Sequence, residues 1–253
     1  MYVPGAAQYP RILTYHEVSR RFHLGINNVS PNSFRKQIEF IKESGLKFAK
    51  LKGLRDSSGK DKICITFDDG YQSFYDEVFP TLIEEKIPAT LFIITDYIGR
   101  TNDWDITFGI NRRRHLNWDM IREISDQGIE IGSHSRTHRD LTRISSETAH
   151  SDLLESKTVL EEGLGREVTS LALPFGAASF DLITIARQCG YQEICGGVPG
   201  IKGPFSGVLP RFPVYRWDRN KALIHKLEMN LFEITRLGAL HACSNVTRVM
   251  KTK

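Results

Sequence analysis

The chain has no apolar run approaching the roughly 18–20 residues that a membrane-spanning helix requires, because charges or turn residues interrupt each one early. No membrane span is therefore expected. It also lacks a repeat of fixed period and any Gly/Ser- or Pro-rich linker, so one domain over residues 1–253 is the simplest parse. Charge of neither sign dominates: 34 Lys and Arg stand against 30 Asp and Glu, a formal net charge of +4. One basic run, Arg112, Arg113 and Arg114, reads as a solvated loop, with long-range steering of an anionic substrate or nucleic acid as the alternative. Basic residues interleaved with aromatic platforms, the usual mark of a nucleic-acid surface, are missing, and no nucleic-acid partner is expected. Cysteine is scarce. Cys64, Cys189, Cys195 and Cys243 form neither a C-x-x-C pair nor a zinc-finger spacing, which excludes a zinc ribbon and leaves the redox compartment open.

What is present is an ordinary globular composition, 40% hydrophobic and 25% charged over 253 residues, enough to bury a substantial core. Short apolar runs at 63–67, 90–95, 129–132 and 171–173 alternate with amphipathic segments, the pattern of an α/β fold. Phe34, Ile38 and Ile41 share one helical face ahead of Gly45. Asn117 is placed to cap a helix carrying Trp118, Ile121 and Ile124 that stops at Gly128. Further helices are expected over 146–162, with Leu153, Leu154 and Leu160 inward, and over 180–189, ending at Gly190. Residues 201–213 read as a long Gly/Pro-rich surface loop, 220–237 as a possible helix, and 250–253 as a frayed tail. Cys64 falls in an apolar run and is expected in the core.

Two motifs carry chemistry. Thr66-Phe67-Asp68-Asp69-Gly70 places adjacent carboxylates just past a buried strand, where they repel and are costly to desolvate unless a cation compensates. In parallel α/β proteins, sites are built at those strand ends. The alternative is a plain Asp69-Gly70 turn with Asp68 capping the next helix. His134-Ser135-Arg136-Thr137-His138 follows the strand-like 129–132, and two imidazoles four apart can converge on one Zn²⁺-like ion, although such pairs also occur on surfaces by chance. Taken together, His134, His138 and the Asp68-Asp69 pair form a candidate His/His/Asp facial site with open positions, the arrangement of a catalytic metal.

These motifs, with His138-Arg139-Asp140-Leu141-Thr142 and Ala172-Leu173-Pro174-Phe175-Gly176, resemble the polysaccharide deacetylases, carbohydrate esterases with a NodB homology domain. The resemblance covers about residues 11–213 and leaves 214–253 unassigned. It implies a distorted (β/α)₇-type barrel with a divalent metal, Zn²⁺ or else Co²⁺ or Ni²⁺, and hydrolysis of N-acetyl groups on an N-acetylglucosamine polymer or oligomer. Asp69, His134 and His138 would be the ligands and Asp68 the general base. The Phe175 N–H, beside Pro174, would stabilise the oxyanion. Thr14-Tyr15-His16 is similar to the N-terminal segment of the poly-N-acetylglucosamine deacetylase branch, making His16 the candidate acid, or else a half-buried strand histidine. His225, in a segment resembling the family's late L-x-H motif, is its rival.

The chain departs from the family at Ala172, where an arginine that orients the catalytic aspartate is expected. Arg211 is the candidate replacement, or else a surface residue. Phe175 and Trp217 are candidate walls of a sugar groove, or core. His23, His115, His150 and His241 carry no motif and are expected on the surface. Two other functions stay open: a non-catalytic carbohydrate-binding relative, and a small-amide hydrolase on the same fold. The opening MYVPGAAQYPRILTYH shows no basic n-region followed by an apolar h-region, which points to the cytoplasm, whereas the resemblance points to the cell envelope or beyond.

Overall fold

The computed structural model describes residues 11–21, 26–52, 54, 61–101, 113–198, 206–228 and 233–237. In chain order its elements are β1 (Arg11–Tyr15), β2 (Glu17–Val18), β3 (Asn28–Val29), α1 (Pro31–Glu43), β4 (Lys47–Ala49), β5 (Lys62–Phe67), α2 (Phe79–Glu84), β6 (Thr90–Ile93), α3 (Trp118–Asp126), β7 (Glu130–Ser133), α4 (Ser146–Leu164), β8 (Ser170–Ala172), α5 (Phe180–Gln188), β9 (Glu193–Cys195), β10 (Phe212–Pro213) and α6 (Asn220–Leu227). Side-chain oxygens start four of the helices. Ser30, Asn117, Ser145 and Ser179 accept from the backbone N–H groups of Ser33, Met120, Thr148 and Leu182, satisfying donors that the first turn leaves open.

The main sheet runs β10-β1-β5-β6-β7-β8-β9 with every neighbour parallel, and β4 adds to β5. It curls into an α/β barrel. Leu209, just ahead of β10, donates its N–H to Ile194 in β9 at 2.7 Å and accepts from Gly196 at 3.0 Å, so the last strand meets the segment feeding the first. Alternate strand residues face two different cores, as the period of two requires. Leu13, Ile63, Ile65, Leu91 and Ile131 pack outward under the helices with Phe34, Ile38 and Ile121. Ile12, Cys64, Phe92, Ala172, Cys195 and Leu209 fill the interior. Each fully buried large apolar side chain contributes roughly 1.5–3 kcal/mol. Phe92 is fully buried in this interior. A Cβ at Gly132 would lie 2.6 Å from the Phe92 ring and 3.0 Å from the Ser170 carbonyl oxygen, so β7 passes only as glycine there.

The structure differs from the sequence reading at four places. Leu154 is 42% exposed while Leu153 and Leu160 are buried, because residues seven apart share a helix face and the next residue along turns about 100° away. The strand expected over 90–95 ends at Ile93, and Thr95 opens a 3₁₀ turn. Residues 208–213 are no surface loop. Val208, Leu209, Arg211 and Phe212 are buried, since this stretch closes the barrel, and its prolines, Pro210 and Pro213, flank the Arg211–Phe212 pair. The helix expected over 220–237 ends at Leu227 with Glu228 as its cap, and a separate helical turn covers 233–237. The frayed tail, His23, His241, Cys243 and Arg112 lie outside the described residues.

Candidate metal centre

Strand β5 delivers the paired carboxylates. The Asp68 N–H donates to the Tyr15 carbonyl at 2.9 Å, continuing the ladder with β1. The chain then turns through two left-handed residues, Asp69 (φ 70°) and Gly70 (φ 67°). Glycine is required at the second, where a Cβ would sit 2.9 Å from Ile93 Cδ1. Aspartate tolerates this region better than most residues. The turn anticipated at Asp69-Gly70 is therefore present. Both carboxylates are buried at 3% exposure, and Asp68 points to an arginine instead of capping a helix.

The two histidines follow β7 on a loop built from short polar side chains. Ser133 Oγ accepts from the Ser135 N–H at 3.1 Å, and Ser135 Oγ accepts from the His138 N–H at 2.9 Å. From α4, Asp152 accepts the Arg136 N–H and the Thr137 hydroxyl, both at 2.7 Å. These bonds hold Ser135 (φ 65°) and His138 (φ 56°) in the left-handed region, a conformation that costs on the order of 1–3 kcal/mol and persists only where its surroundings enforce it.

The donor set fits a cation. His134 Nδ1 lies 2.8 Å from the Ala172 carbonyl oxygen, which can only accept, so Nδ1 carries the proton and a neutral ring turns the Nε2 lone pair inward. Burial lowers the pKa of His134, outweighing the opposing effect of Asp68, and favours that neutral ring. Its Nε2 faces Asp69 Oδ1 at 3.5 Å, and His138 Nε2 faces the same oxygen at 3.5 Å. The ligand atoms of Asp69, His134 and His138 all lie within 4.8 Å of one another. Lone pairs of a neutral imidazole and a carboxylate aimed at one point repel unless a cation lies between them.

Asp68 sits beside this set, its Oδ2 4.0 Å from His134 Nε2, and is gripped by Arg211 in a fork of 2.7 and 2.8 Å. Arg211 also donates to the Gly196 carbonyl at 3.2 Å and to Thr66 Oγ1 at 3.3 Å, and its guanidinium lies 5.3 Å from the centre of the Phe92 ring. Burial would raise the Asp68 pKa, but Arg211, then His134 and His16, more than offset it, and the carboxyl lies below its ordinary range. Arg211 is 4% exposed, not a surface residue. Ala172, where the family arginine was expected, is buried in the barrel interior with Phe92.

His16 follows β1 and is near enough to Asp68 for its charge to help lower that carboxyl. His225 is placed elsewhere. It lies two residues before Leu227, whose carbonyl accepts from Arg11 at the start of β1, towards the opposite end of the barrel. Phe175 is left-handed (φ 59°) and packs against His138 with centroids 4.9 Å apart and the rings tilted by 55°. The turn after buried Pro174 presses on the chain just past β9, since a Cβ at Gly176 would lie 2.4 Å from Gly197. Trp217 is 46% exposed, 5.6 Å from the Tyr215 ring, and is not core.

Two residues were misjudged from sequence. His115 is not on the surface but 4% exposed, with Nδ1 2.9 Å from the Asp69 carbonyl oxygen. Arg113 does not belong to a solvated loop. Its side chain is 13% exposed and pairs with Glu17 at 2.8 Å. No local motif marks either, because their partners are distant in sequence.

Comparison with known proteins gives the family and the fold. A family model described as Polysaccharide deacetylase matches residues 55–194. The poly-beta-1,6-N-acetyl-D-glucosamine N-deacetylase of Staphylococcus epidermidis is 28% identical over 179 residues, covering 65% of this chain and 60% of that one. That of Staphylococcus aureus strain MRSA252 is 27% identical, covering 65% and 59%. The chain thus spans less than two thirds of the length of these curated relatives. Among solved structures, a polysaccharide deacetylase from Bacillus cereus superposes with a TM-score of 0.71 at 25% identity, over 86% of this chain and 68% of that one. IcaB from Ammonifex degensii gives 0.73 at 22% identity, over 87% and 97%, which shows the shared fold.

Proposed function

Because the chain belongs to the polysaccharide deacetylase family, we propose that it is a metal-dependent hydrolase removing N-acetyl groups from an N-acetylglucosamine polymer or oligomer. One observation carries the reading: the ligand atoms of Asp69, His134 and His138 converge within 4.8 Å beside a carboxylate locked by an arginine fork. Asp69, His134 and His138 would hold a divalent ion, with Zn²⁺ suited to two imidazoles and a carboxylate. Such an ion supplies a polarised acetyl carbonyl and hydroxide available near neutral pH.

The remaining steps belong to the chain's own groups. Asp68, kept ionised by Arg211, takes the proton of the attacking water, a role typically worth about 10²–10⁴ in rate. Arg211 does for Asp68 what an arginine at position 172 would otherwise do. As the acetyl carbon becomes tetrahedral, the Phe175 N–H donates to the developing oxyanion, and one such donor is worth about 10²–10³. His16 then protonates the nitrogen as the amide C–N bond breaks, releasing acetate and a free amine on the sugar. The names of the staphylococcal relatives favour a β-1,6-linked substrate, and exposed Trp217 offers a surface for a sugar ring.

Acetate release from N-acetylglucosamine oligomers tests this directly. Release that chelator abolishes and Zn²⁺ restores is expected. Binding of the same oligomers without release would instead favour a non-catalytic carbohydrate-binding protein, and release only from small acetamides would move the substrate outside polysaccharides.

A further inference from the structure

The left-handed turn at Asp69 and Gly70 has a brace outside the motif. Residues 113–116 lie across the end of β5 as a strap. His115 Nδ1 is 2.9 Å from the Asp69 carbonyl oxygen, and the Leu116 N–H donates to the Gly70 carbonyl at 2.9 Å. Consecutive residues of the strap thus bond the carbonyls of both left-handed residues. A carbonyl only accepts, so His115 donates from Nδ1. Its ring is held between Tyr71 and Tyr97, with centroids 4.9 and 5.1 Å away.

The strap is also anchored without that imidazole. The His115 N–H donates to Arg100 at 2.9 Å, Gln72 donates to the Arg114 carbonyl at 2.8 Å, and Gly99 donates to Leu116 at 2.8 Å. Arg113 pairs with Glu17 at 2.8 Å and lies 5.3 Å from the centre of the Tyr71 ring. Loss of the His115 side-chain donor therefore leaves the strap's backbone bonds in place and removes specifically the imidazole bond to the Asp69 carbonyl. That carbonyl belongs to the residue whose carboxylate faces His134 and His138.

The geometry points to His115 as a positioning residue for the Asp69 carboxylate: its Nδ1–H fixes the strained Asp69 backbone in the one conformation that aims the side chain at both histidines. The inference rests on the metal reading above. His115 touches neither substrate nor ion and acts through Asp69, in the way outer partners orient metal ligands. Losses of 10–100-fold in metal affinity are typical when such partners are removed.

The test is Zn²⁺ affinity of the full chain, read by competition with a chromophoric chelator, for wild type, His115→Phe, His115→Asn and His115→Gln. Phe keeps the ring between Tyr71 and Tyr97 and loses the donor. Asn places its amide nitrogen where Nδ1 lies, and Gln places it where Nε2 lies. His115→Phe is expected to bind at least tenfold more weakly, equivalent to about 1.4 kcal/mol, with the metal-free protein still folded by circular dichroism. His115→Asn is expected to recover most of the affinity and His115→Gln not to. Should His115→Phe not fold, the Asn and Gln pair decides, with Asn about tenfold tighter. Wild-type affinity in His115→Phe, or equal affinity in Asn and Gln, overturns the positioning role alone. A wild-type chain that binds no Zn²⁺ overturns the metal reading and the inference with it.

Discussion

The sheet carries one carboxylate, Glu130, at one end and a pair, Asp68 and Asp69, at the other, and the two ends are built differently. At the starts of β6, β7 and β8, Glu130 accepts from Thr90 Oγ1 at 3.1 Å, from the Lys52 N–H at 3.1 Å and from the Ser170 hydroxyl. Its charge meets neutral donors in relaxed backbone. Past the ends of β5 and β7, Asp68 meets a guanidinium and Asp69 meets two imidazoles, of which His134 turns its Nε2 lone pair towards it. Of the five non-glycine residues with positive φ among those described, Asp69, Ser135, His138 and Phe175 lie beyond strand ends at this mouth, and only Lys86 lies at the other end. The Glu130 end is satisfied by its own hydrogen bonds. The mouth holds left-handed backbone and a His134 lone pair turned towards the Asp69 carboxylate.

Separating the two ends experimentally should produce effects of descending size. Asp68→Asn leaves the three ligands intact, so the protein should still bind Zn²⁺ while turnover of acetylated oligomers falls by about 10²–10⁴; unchanged turnover would remove Asp68 from proton transfer. Arg211→Ala leaves a buried carboxylate without its cation, and breaking such a pair costs about 3–5 kcal/mol, measurable by denaturant unfolding. The same change raises the Asp68 pKa, because Arg211 is the largest influence lowering it. The base is then protonated at higher pH, and the acid limb of the kcat/KM profile should move upward. Glu130→Gln, at the other end, should cost about 1–3 kcal/mol of stability by weakening bonds to a charged acceptor, with kcat/KM unchanged. An equal loss of activity there would mean that the two ends are not independent.

Much of this mouth could be read in the chain because its parts are local. The Asp-Asp-Gly turn sits directly after a run of buried β-formers, and the two histidines lie four apart directly after another, so adjacency in sequence becomes adjacency at strand ends. Caps and stops were equally local: Asn117 and Gly128 bracket α3 as their chemistry requires. What escaped depends on closure of the barrel. Residues 208–213 look like a loop because glycine and proline surround them, yet barrel closure buries 208–212; the reach of Arg211 to Asp68, 143 positions away, was legible only through the resemblance, as a replacement for the arginine missing at 172. The role of His115 rests on a main-chain carbonyl 46 positions away, which no side-chain pattern encodes. Arg113 drew attention only as part of a charge run, whereas its partner Glu17 lies beside His16.

The central claim is that Asp69, His134 and His138 converge because they hold an ion. Metal content of the purified chain after exposure to Zn²⁺ and exhaustive dialysis, set beside His134→Ala, tests it most directly. About one bound ion per chain, lost in the variant while its fold persists by circular dichroism, is the predicted result. A wild-type chain that retains no ion, or a His134→Ala chain that retains as much as wild type, would contradict it.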